Sequence, residues 1–340
     1  MSVTILSVET SCDETAAAVV INGTELRANI ISSQVDVHCK FGGVVPEIAS
    51  RKHLELINYV IKEALTTAGI TFKDLDAVAV TYGPGLVGAL LVGVAAAKAL
   101  SFGLDIPLIG VNHLEGHVSA NFIHEPMPPF PIICLVVSGG HTDLMLITDF
   151  GKYELLGATR DDAAGEAFDK VARVLGLGYP GGPLIDSLAD TGDDEAVLLP
   201  RSYLGKDSLD FSFSGLKTAV LNYLHRAEQK KIPINKADVA ASFRRAVVDV
   251  LVDKTFLAVE RYQTSALMLA GGVAANRLLR EEMFLRAATL DKQLIYPPPV
   301  LCTDNAAMVG CAAYYKYLRG DFAPLTLNAM PGLQLGYDHY

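Results

Sequence analysis

The chain has 340 residues, about half of them apolar, with 29 glycines and a formal net charge of −10 at pH 7. Its length exceeds what a single hydrophobic core ordinarily organises, so two domains are expected, and its apolar content excludes a disordered chain. The acidic balance excludes gripping a nucleic acid by bulk electrostatics, so such a substrate needs a local basic patch or a partner.

The amino terminus runs straight into an apolar strand over 3–8, with no basic leader or cleavage site, which fits a cytoplasmic location. The polar turn Glu9-Thr10-Ser11-Cys12-Asp13-Glu14-Thr15 follows, then a strand over 16–21, the hairpin turn Asn22-Gly23 and a strand over 26–32. A helix is predicted over 46–68, with Pro46 suited to its first turn. A strand over 77–82, a helix over 86–102 and a strand over 107–111 complete this half. The run 86–100 comes nearest to a membrane span, but it is short and carries Lys98, so no membrane is expected.

The second half opens on a strand over 131–137, the turn Ser138-Gly139-Gly140-His141-Thr142, a strand over 143–148, a glycine turn and a strand over 153–159. Helices are predicted over 164–175, 183–191 and 236–263. A strand over 266–270, a helix over 274–289, a strand over 293–297 and a last helix over 303–318 follow. The stretch 193–213 is the least regular and reads as a surface excursion of the second lobe. The cysteines Cys12, Cys39, Cys134, Cys302 and Cys311 are scattered, with no Cys-x-x-Cys, and read as reduced thiols.

Both halves therefore open as strand, polar hairpin, strand, turn, strand, which suggests duplication. The later alternation of helices and strands implies parallel strands flanked by helices, an α/β protein. The expected architecture is two similar lobes with a cleft between them, the first of 1–110 plus 305–340 and the second of 111–304.

Within Val111-Asn112-His113-Leu114-Glu115-Gly116-His117, the two histidines are four residues apart, which puts both imidazoles on one face of a helix. The pair follows a strand and opens a helix, where open α/β sheets place their sites, and a metal ion is the usual occupant of such a point. Asp304 at the start of the final helix is the candidate third ligand; the competing role for Asp304 or Thr303 is to cap that helix. Two imidazoles, one carboxylate and open positions suit a catalytic zinc or ferrous ion. Glu115 lies about 160° around the helix from either histidine. It is therefore not the adjoining base of a His-Glu-x-x-His peptidase.

Glu9, Thr10, Ser11, Cys12 and Asp13 in one half, and Val137, Ser138, Gly139, Gly140 and His141 in the other, form equivalent polar hairpins able to clamp phosphate. Gly271-Gly272-Val273-Ala274-Ala275-Asn276 ends a strand in small residues against which a base or ribose can lie. Gly83-Pro84-Gly85-Leu86-Val87-Gly88 matches a dinucleotide fingerprint but is not the first strand–helix turn. Gly176-Leu177-Gly178-Tyr179-Pro180-Gly181 follows a helix and reads as a turn lining the cleft with Gly182 and Asp186. Arg51, Lys52, Arg244, Arg245, Arg277 and Arg280 could supply contacts to nucleic-acid phosphates, or form solvated helix faces.

Taken together, these motifs resemble the TsaD (Kae/Gcp/YgjD) family of tRNA threonylcarbamoyladenosine transferases, in its bacterial form, along nearly the whole chain. The matching runs include Val8–Thr15, Gly42–Arg51, the Gly83–Gly88 turn, the His113/His117 pair, Val137–Thr142 and Gly165–Lys170. Gly181-Gly182-Pro183, Phe213–Lys217, Gly271–Asn276 and Thr303-Asp304-Asn305-Ala306 continue the match. The resemblance implies the actin, chaperone-ATPase and sugar-kinase (ASKHA) fold. It implies transfer of a threonylcarbamoyl group from threonylcarbamoyl-AMP to the exocyclic amine of the adenosine 3′ of the anticodon, in tRNAs reading codons that begin with A. It implies His113, His117 and Asp304 as ligands of Fe2+ or Zn2+, and Val137–His141, Asp169, Gly182, Asp186 and Asn276 as the adenylate site. It also implies a paralogous TsaB-type subunit, a TsaE-type ATPase subunit and a TsaC/YrdC-type adenylate-forming enzyme as partners. No protein nucleophile is expected, and Asp13 or His141 are the candidates for the base. The alternatives are a metallopeptidase, an ATPase or sugar kinase of the same fold, or a non-enzymatic scaffold.

Overall fold

Strand β1 (Thr4–Glu9) is buried at every position, its polar Thr4, Ser7 and Glu9 as well as Ile5, Leu6 and Val8, as befits a central strand covered on both faces. It pairs antiparallel with β2 (Glu14–Ile21) and parallel with β4 (Ala77–Gly83). With β3 (Glu25–Ser33) and β5 (Leu108–Asn112) at the edges, the order is β3-β2-β1-β4-β5. The short helix α1 (Val35–His38) and the long α2 (Pro46–Ala68) lie between β3 and β4, α3 (Val87–Leu104) joins β4 to β5, and α4 (His113–Ser119) follows β5 directly. Pro46 stands in the first turn of α2, where its missing N–H is not needed, and Gly69 ends the helix at φ 69°.

The second sheet repeats this plan. Strands β6 (Ile132–Val137), β7 (Thr142–Asp149), β8 (Lys152–Ala158), β9 (Ala266–Ala270) and β10 (Gln293–Ile295) stand in the order β10-β9-β6-β7-β8, the first sheet's order strand for strand. The pairing senses match as well: β6 is antiparallel to β7 and parallel to β9, and β10 is parallel to β9. The duplication legible in the two hairpins therefore extends through both sheets. Helices α5 (Ala164–Leu175), α6 (Gly181–Ala189), α7 (Ser214–Gln229), α8 (Lys236–Tyr262) and α9 (Arg277–Thr289) accompany the second sheet; α10 (Pro299–Cys302) and α11 (Ala306–Arg319) return to the first.

This computed structural model describes residues 2–123 and 127–336. The chain divides into two units, Met1–Met127 with Asp149–Tyr153 and Pro297–Tyr340, and Pro128–Thr148 with Glu154–Tyr296. The boundaries expected at 110 and 305 are corrected by this division. A cut after residue 110 would split β5, whose Val111 pairs with Thr81 of the first sheet, and α4 packs on α11. Residues 337–340 of the expected first lobe lie outside the described residues.

In the first unit, Leu6, Val8, Val19, Val78 and Val80 of the sheet form a buried core with Ile57, Val60 and Ile61 of α2 and Val94 and Ala97 of α3. By length and composition α3 could cross a membrane, yet Ala89, Leu90, Gly93, Val94 and Ala97 are buried and it packs on β4 and α2. On α11, a Cβ on Gly310 would lie 2.6 Å from Val20, and Ser7 Oγ donates to the Ala306 carbonyl at 2.6 Å, so this helix lies close against β1 and β2.

Two further element assignments are corrected. Helix α7 has no predicted counterpart, because its start has no local cap. Instead Asp161, more than fifty residues upstream, accepts the Phe213 and Ser214 N–H groups and the Ser212 and Ser214 hydroxyls. These hydrogen bonds hold the Asp161 carboxyl at about 2 against the opposing effect of burial. The helix predicted from 274 begins instead at Arg277, after a 3-10 turn over Gly272–Ala275, because Asn276 caps it by accepting the Leu279 N–H.

Candidate metal and nucleotide sites

Helix α4 starts where β5 ends because the Asn112 side chain accepts the Leu114 N–H at 2.9 Å. That places His113 in the first turn and His117 one turn on, with ring centroids 4.6 Å apart. Asp304 comes from the segment before α11. Its Oδ1 lies 3.2 Å from His117 Nε2 and 3.5 Å from His113 Nε2, and the three ligand atoms all fall within 4.8 Å of one another. Donors each about 2 Å from a common ion stand about 3–3.5 Å apart, a spacing that both Asp304–histidine distances match. The capping role weighed for Asp304 and Thr303 belongs to Asn305, whose side chain accepts the Met308 N–H at 3.0 Å. Asp304 is left to face the histidines.

His117 supplies the test of fit. Both its ring nitrogens are buried without a hydrogen-bond partner among the described residues, although Nε2 approaches Asp304 as just described. A buried polar atom left unsatisfied costs about 1–3 kcal/mol, which ligation of a cation would relieve. His113 is oriented from behind, with Nδ1 3.1 Å from Ser11 Oγ and 3.3 Å from Glu9 Oε2. Glu9 also accepts the Ser11 N–H and the Thr81 hydroxyl, each at 2.5 Å. This is the carboxylate–histidine arrangement that fixes the tautomer of a metal ligand and directs Nε2 at the ion. Burial opposes charge on His113, but Asp304 and Glu9 raise its pKa to about 9. A cation would take the place of that proton, since only neutral imidazole ligates.

The first hairpin differs from the expected phosphate loop in that Glu9, Thr10, Ser11 and Asp13 are all buried. Glu9 is fully buried behind His113, and Thr10 Oγ1 donates to the Ala89 carbonyl, so both side chains face inward. Ser11 faces His113, Asp13 is buried, and the Cys12 carbonyl accepts from His53 Nε2 at 2.9 Å. Burial, then Asp13 and Asp304, push the Cys12 thiol far up, which disfavours a thiolate nucleophile there. The dinucleotide-like glycines have a packing role. A Cβ on Gly83 would lie 2.1 Å from the Met330 carbonyl oxygen, and one on Gly85 2.6 Å from that of Ser11.

In the second unit, Ser138 and His141 close their turn by Ser138 N–H to His141 O at 2.9 Å and His141 N–H to Ser138 Oγ at 3.2 Å. A Cβ on Gly165 would lie 2.5 Å from the Ser138 carbonyl oxygen, so α5 begins directly against this turn. Gly271, at φ 86°, approaches Val137 as closely. Asp169 of α5 accepts the Gly181 N–H at 2.6 Å, which ties it to the start of α6, the helix carrying Gly182 and Asp186. A Cβ on Gly182 would meet nothing within 4 Å. Asn276 Nδ2 donates to Asp186 Oδ1 at 2.8 Å, so Asp169, Gly182, Asp186 and Asn276 belong to one connected group.

Arg244 is the partner that the sequence reading missed. It lies on a buried face of α8 and its Nη1 donates to Asp186 Oδ1 at 2.6 Å and to Asp190 Oδ1 at 2.9 Å. The signal was an arginine between the largely apolar runs Val239-Ala240-Ala241-Ser242-Phe243 and Ala246-Val247-Val248. It is neither a phosphate contact nor part of a solvated face. Arg245 pairs with Asp194 and Glu282, Arg277 with Asp190, and Arg280 donates to the Ala274 carbonyl while covering Tyr296. Arg51 and Lys52 remain on the surface of α2, Lys52 paired with Glu55.

Two α/β units of matching sheet order place the chain in the ASKHA class. Solved structures share the fold: HypF of T. kodakarensis aligns at a TM-score of 0.63 over 94% of this chain and 48% of that chain, with 14% identity. The activator of the 2-hydroxyisocaproyl-CoA dehydratase from Clostridium difficile aligns at 0.53 over 94% of this chain and 97% of that chain, with 13% identity. Within that class, the model of the TsaD family, tRNA N6-adenosine threonylcarbamoyltransferase, matches residues 25–311. The chain belongs to this family. Proteins of that name from Moorella thermoacetica and Clostridium perfringens strain 13 are 62% and 59% identical to it, covering 97% and 98% of both chains respectively.

Proposed function

We propose that this chain transfers the threonylcarbamoyl group of threonylcarbamoyl-AMP to the exocyclic amine of the adenosine 3′ of the anticodon, in tRNAs reading codons that begin with A. The observation that carries the metal-dependent form of this reading is the convergence of His113 Nε2, His117 Nε2 and Asp304 Oδ1. Family membership supports the reaction itself.

Fe2+ or Zn2+ held by these three residues would supply Lewis acidity toward a carbamoyl or phosphate oxygen. Glu9 and Ser11 hold the His113 ring in register. In the other unit, the Ser138–His141 turn offers backbone to phosphate, and Asp186, held by Arg244 and Asn276, keeps a carboxylate available for ribose hydroxyls. The amine nitrogen bonds to the carbamoyl carbon, the bond from that carbon to the phosphate oxygen breaks, AMP departs, and the amine loses a proton. AMP is already a good leaving group, so orientation and exclusion of water carry most of the rate enhancement. Asp13 and His141 are the candidates for accepting the proton.

The peptidase alternative loses its base, because Glu115 is buried against Lys316 and not beside the histidines. The acidic chain meets tRNA in the cytoplasm with help from a TsaB-type paralogue, a TsaE-type ATPase and a TsaC/YrdC-type enzyme that makes the adenylate. The test supplies purified protein, these partners, threonylcarbamoyl-AMP and unmodified tRNA, and quantifies the modified adenosine. Asp304→Ala is expected to abolish modification; an unchanged yield would remove the metal from the mechanism.

A further inference from the structure

Glu115 lies between the two histidines in sequence but on the opposite side of α4. Its side chain is only 7% exposed, and that of Lys316 on α11 is 0% exposed. Lys316 Nζ lies 3.8 Å from Glu115 Oε2 and 3.1 Å from Asp321 Oδ2, and the Tyr153 hydroxyl donates to Glu115 Oε1 at 3.4 Å. One residue on, a Cβ on Gly116 would lie 3.2 Å from Met308 Cγ, in the first turn of α11. The helix that carries both histidines is thus joined to the helix that Asp304 precedes, by a close approach and by a buried charge pair.

From this arrangement we infer that Glu115 and Lys316 are positioning residues: their ion pair sets the rotation of α4 on α11, and so brings His113 and His117 to Asp304. The inference rests on the metal reading given above. Helix α4 has only seven residues, too few to be held by its own propensity. Apolar packing already restricts the rotation of a helix, and a buried charge adds the further demand that it meet its partner. An imidazole nitrogen stands about 6 Å from the helix axis, so a rotation of about 10° displaces it by about 1 Å. Metal–ligand distances tolerate only about 0.2 Å.

The experiment titrates the full-length protein with Zn2+ against a competing chelator, and records the visible absorption of the Co2+-loaded form, which reports ligand geometry. Glu115→Gln and Lys316→Met are each expected to weaken Zn2+ binding about 10- to 100-fold, the range for groups that orient metal ligands, and to alter the Co2+ spectrum. Should a single variant fail to fold, Glu115→Leu combined with Lys316→Met removes both charges together. That pair is expected to fold and still to bind Zn2+ more weakly. Folded variants with wild-type Zn2+ affinity and an unchanged Co2+ spectrum would overturn the inference, whatever their melting temperature. His117→Ala separates the two failures: if it binds Zn2+ as well as the wild type, the metal reading itself falls.

Discussion

Glu9 Oε2 stands 3.3 Å from His113 Nδ1, so a residue at the end of the first strand orients a metal-ligand candidate more than a hundred residues later. Glutamine at position 9 could donate to Nδ1 and so leave the proton on Nε2, the nitrogen that must bind the ion. Glu9→Gln is therefore expected to lower Zn2+ affinity about 10- to 100-fold, as competition with a chelator would measure. Wild-type affinity would mean that Ser11 alone orients the ring.

The cap of α11 offers a separate handle on Asp304. Asn305→Ala removes the acceptor of the Met308 N–H and is expected to cost about 1 kcal/mol of stability. Chemical denaturation would measure it, and Asn305→Ser is expected to restore most of the loss. No loss with alanine would show that packing alone sets the start of the helix.

Arg244 is buried and paired with Asp186 and Asp190. Breaking a buried pair by removing one partner typically costs about 3–5 kcal/mol, and these carboxylates are partly exposed, so Arg244→Met is expected to fall at or below the lower end. It is also expected to weaken binding of a non-hydrolysable threonylcarbamoyl-AMP analogue, measured by calorimetry. In combination with Asp186→Asn the losses are expected to be less than additive, since the two residues share one contact. Full additivity would separate Arg244 from the candidate nucleotide site.

Asp143, in the strand after the second hairpin, provides the pH test. Burial pushes its carboxyl up to about 6 from an ordinary 3.8. The folded state thus favours the neutral acid. The resulting penalty is absent below about pH 4, grows as pH rises toward 6 and is constant above that, reaching at most about 3 kcal/mol. Asp143→Asn is expected to raise the melting temperature at pH 7.5 and to leave it nearly unchanged at pH 4. An equal gain at both pH values would sink this account.

Much of the architecture was legible in the residues themselves. The His113/His117 spacing is a local, helical relation, and the two polar hairpins announce the duplication because turn chemistry is also local. Pro46 marks the start of α2 for the same reason. The start of α7 was not legible, because its capping carboxylate, Asp161, is remote in sequence. Arg244 read as a surface or phosphate-binding residue, since a sequence does not show that Asp186 and Asp190 stand opposite it.

The sequence by itself determined which side chains could ligate an ion, the order of the strands and of most helices, and the family to which those motifs belong. Tertiary structure alone decided that Asp304 faces the histidines, that Glu9 stands behind His113, and that Lys316 meets Glu115. The physical reason is separation along the chain. Periodicity and capping act over one or two turns, whereas burial of a charge requires a partner that only the packed sheet and helices bring within reach.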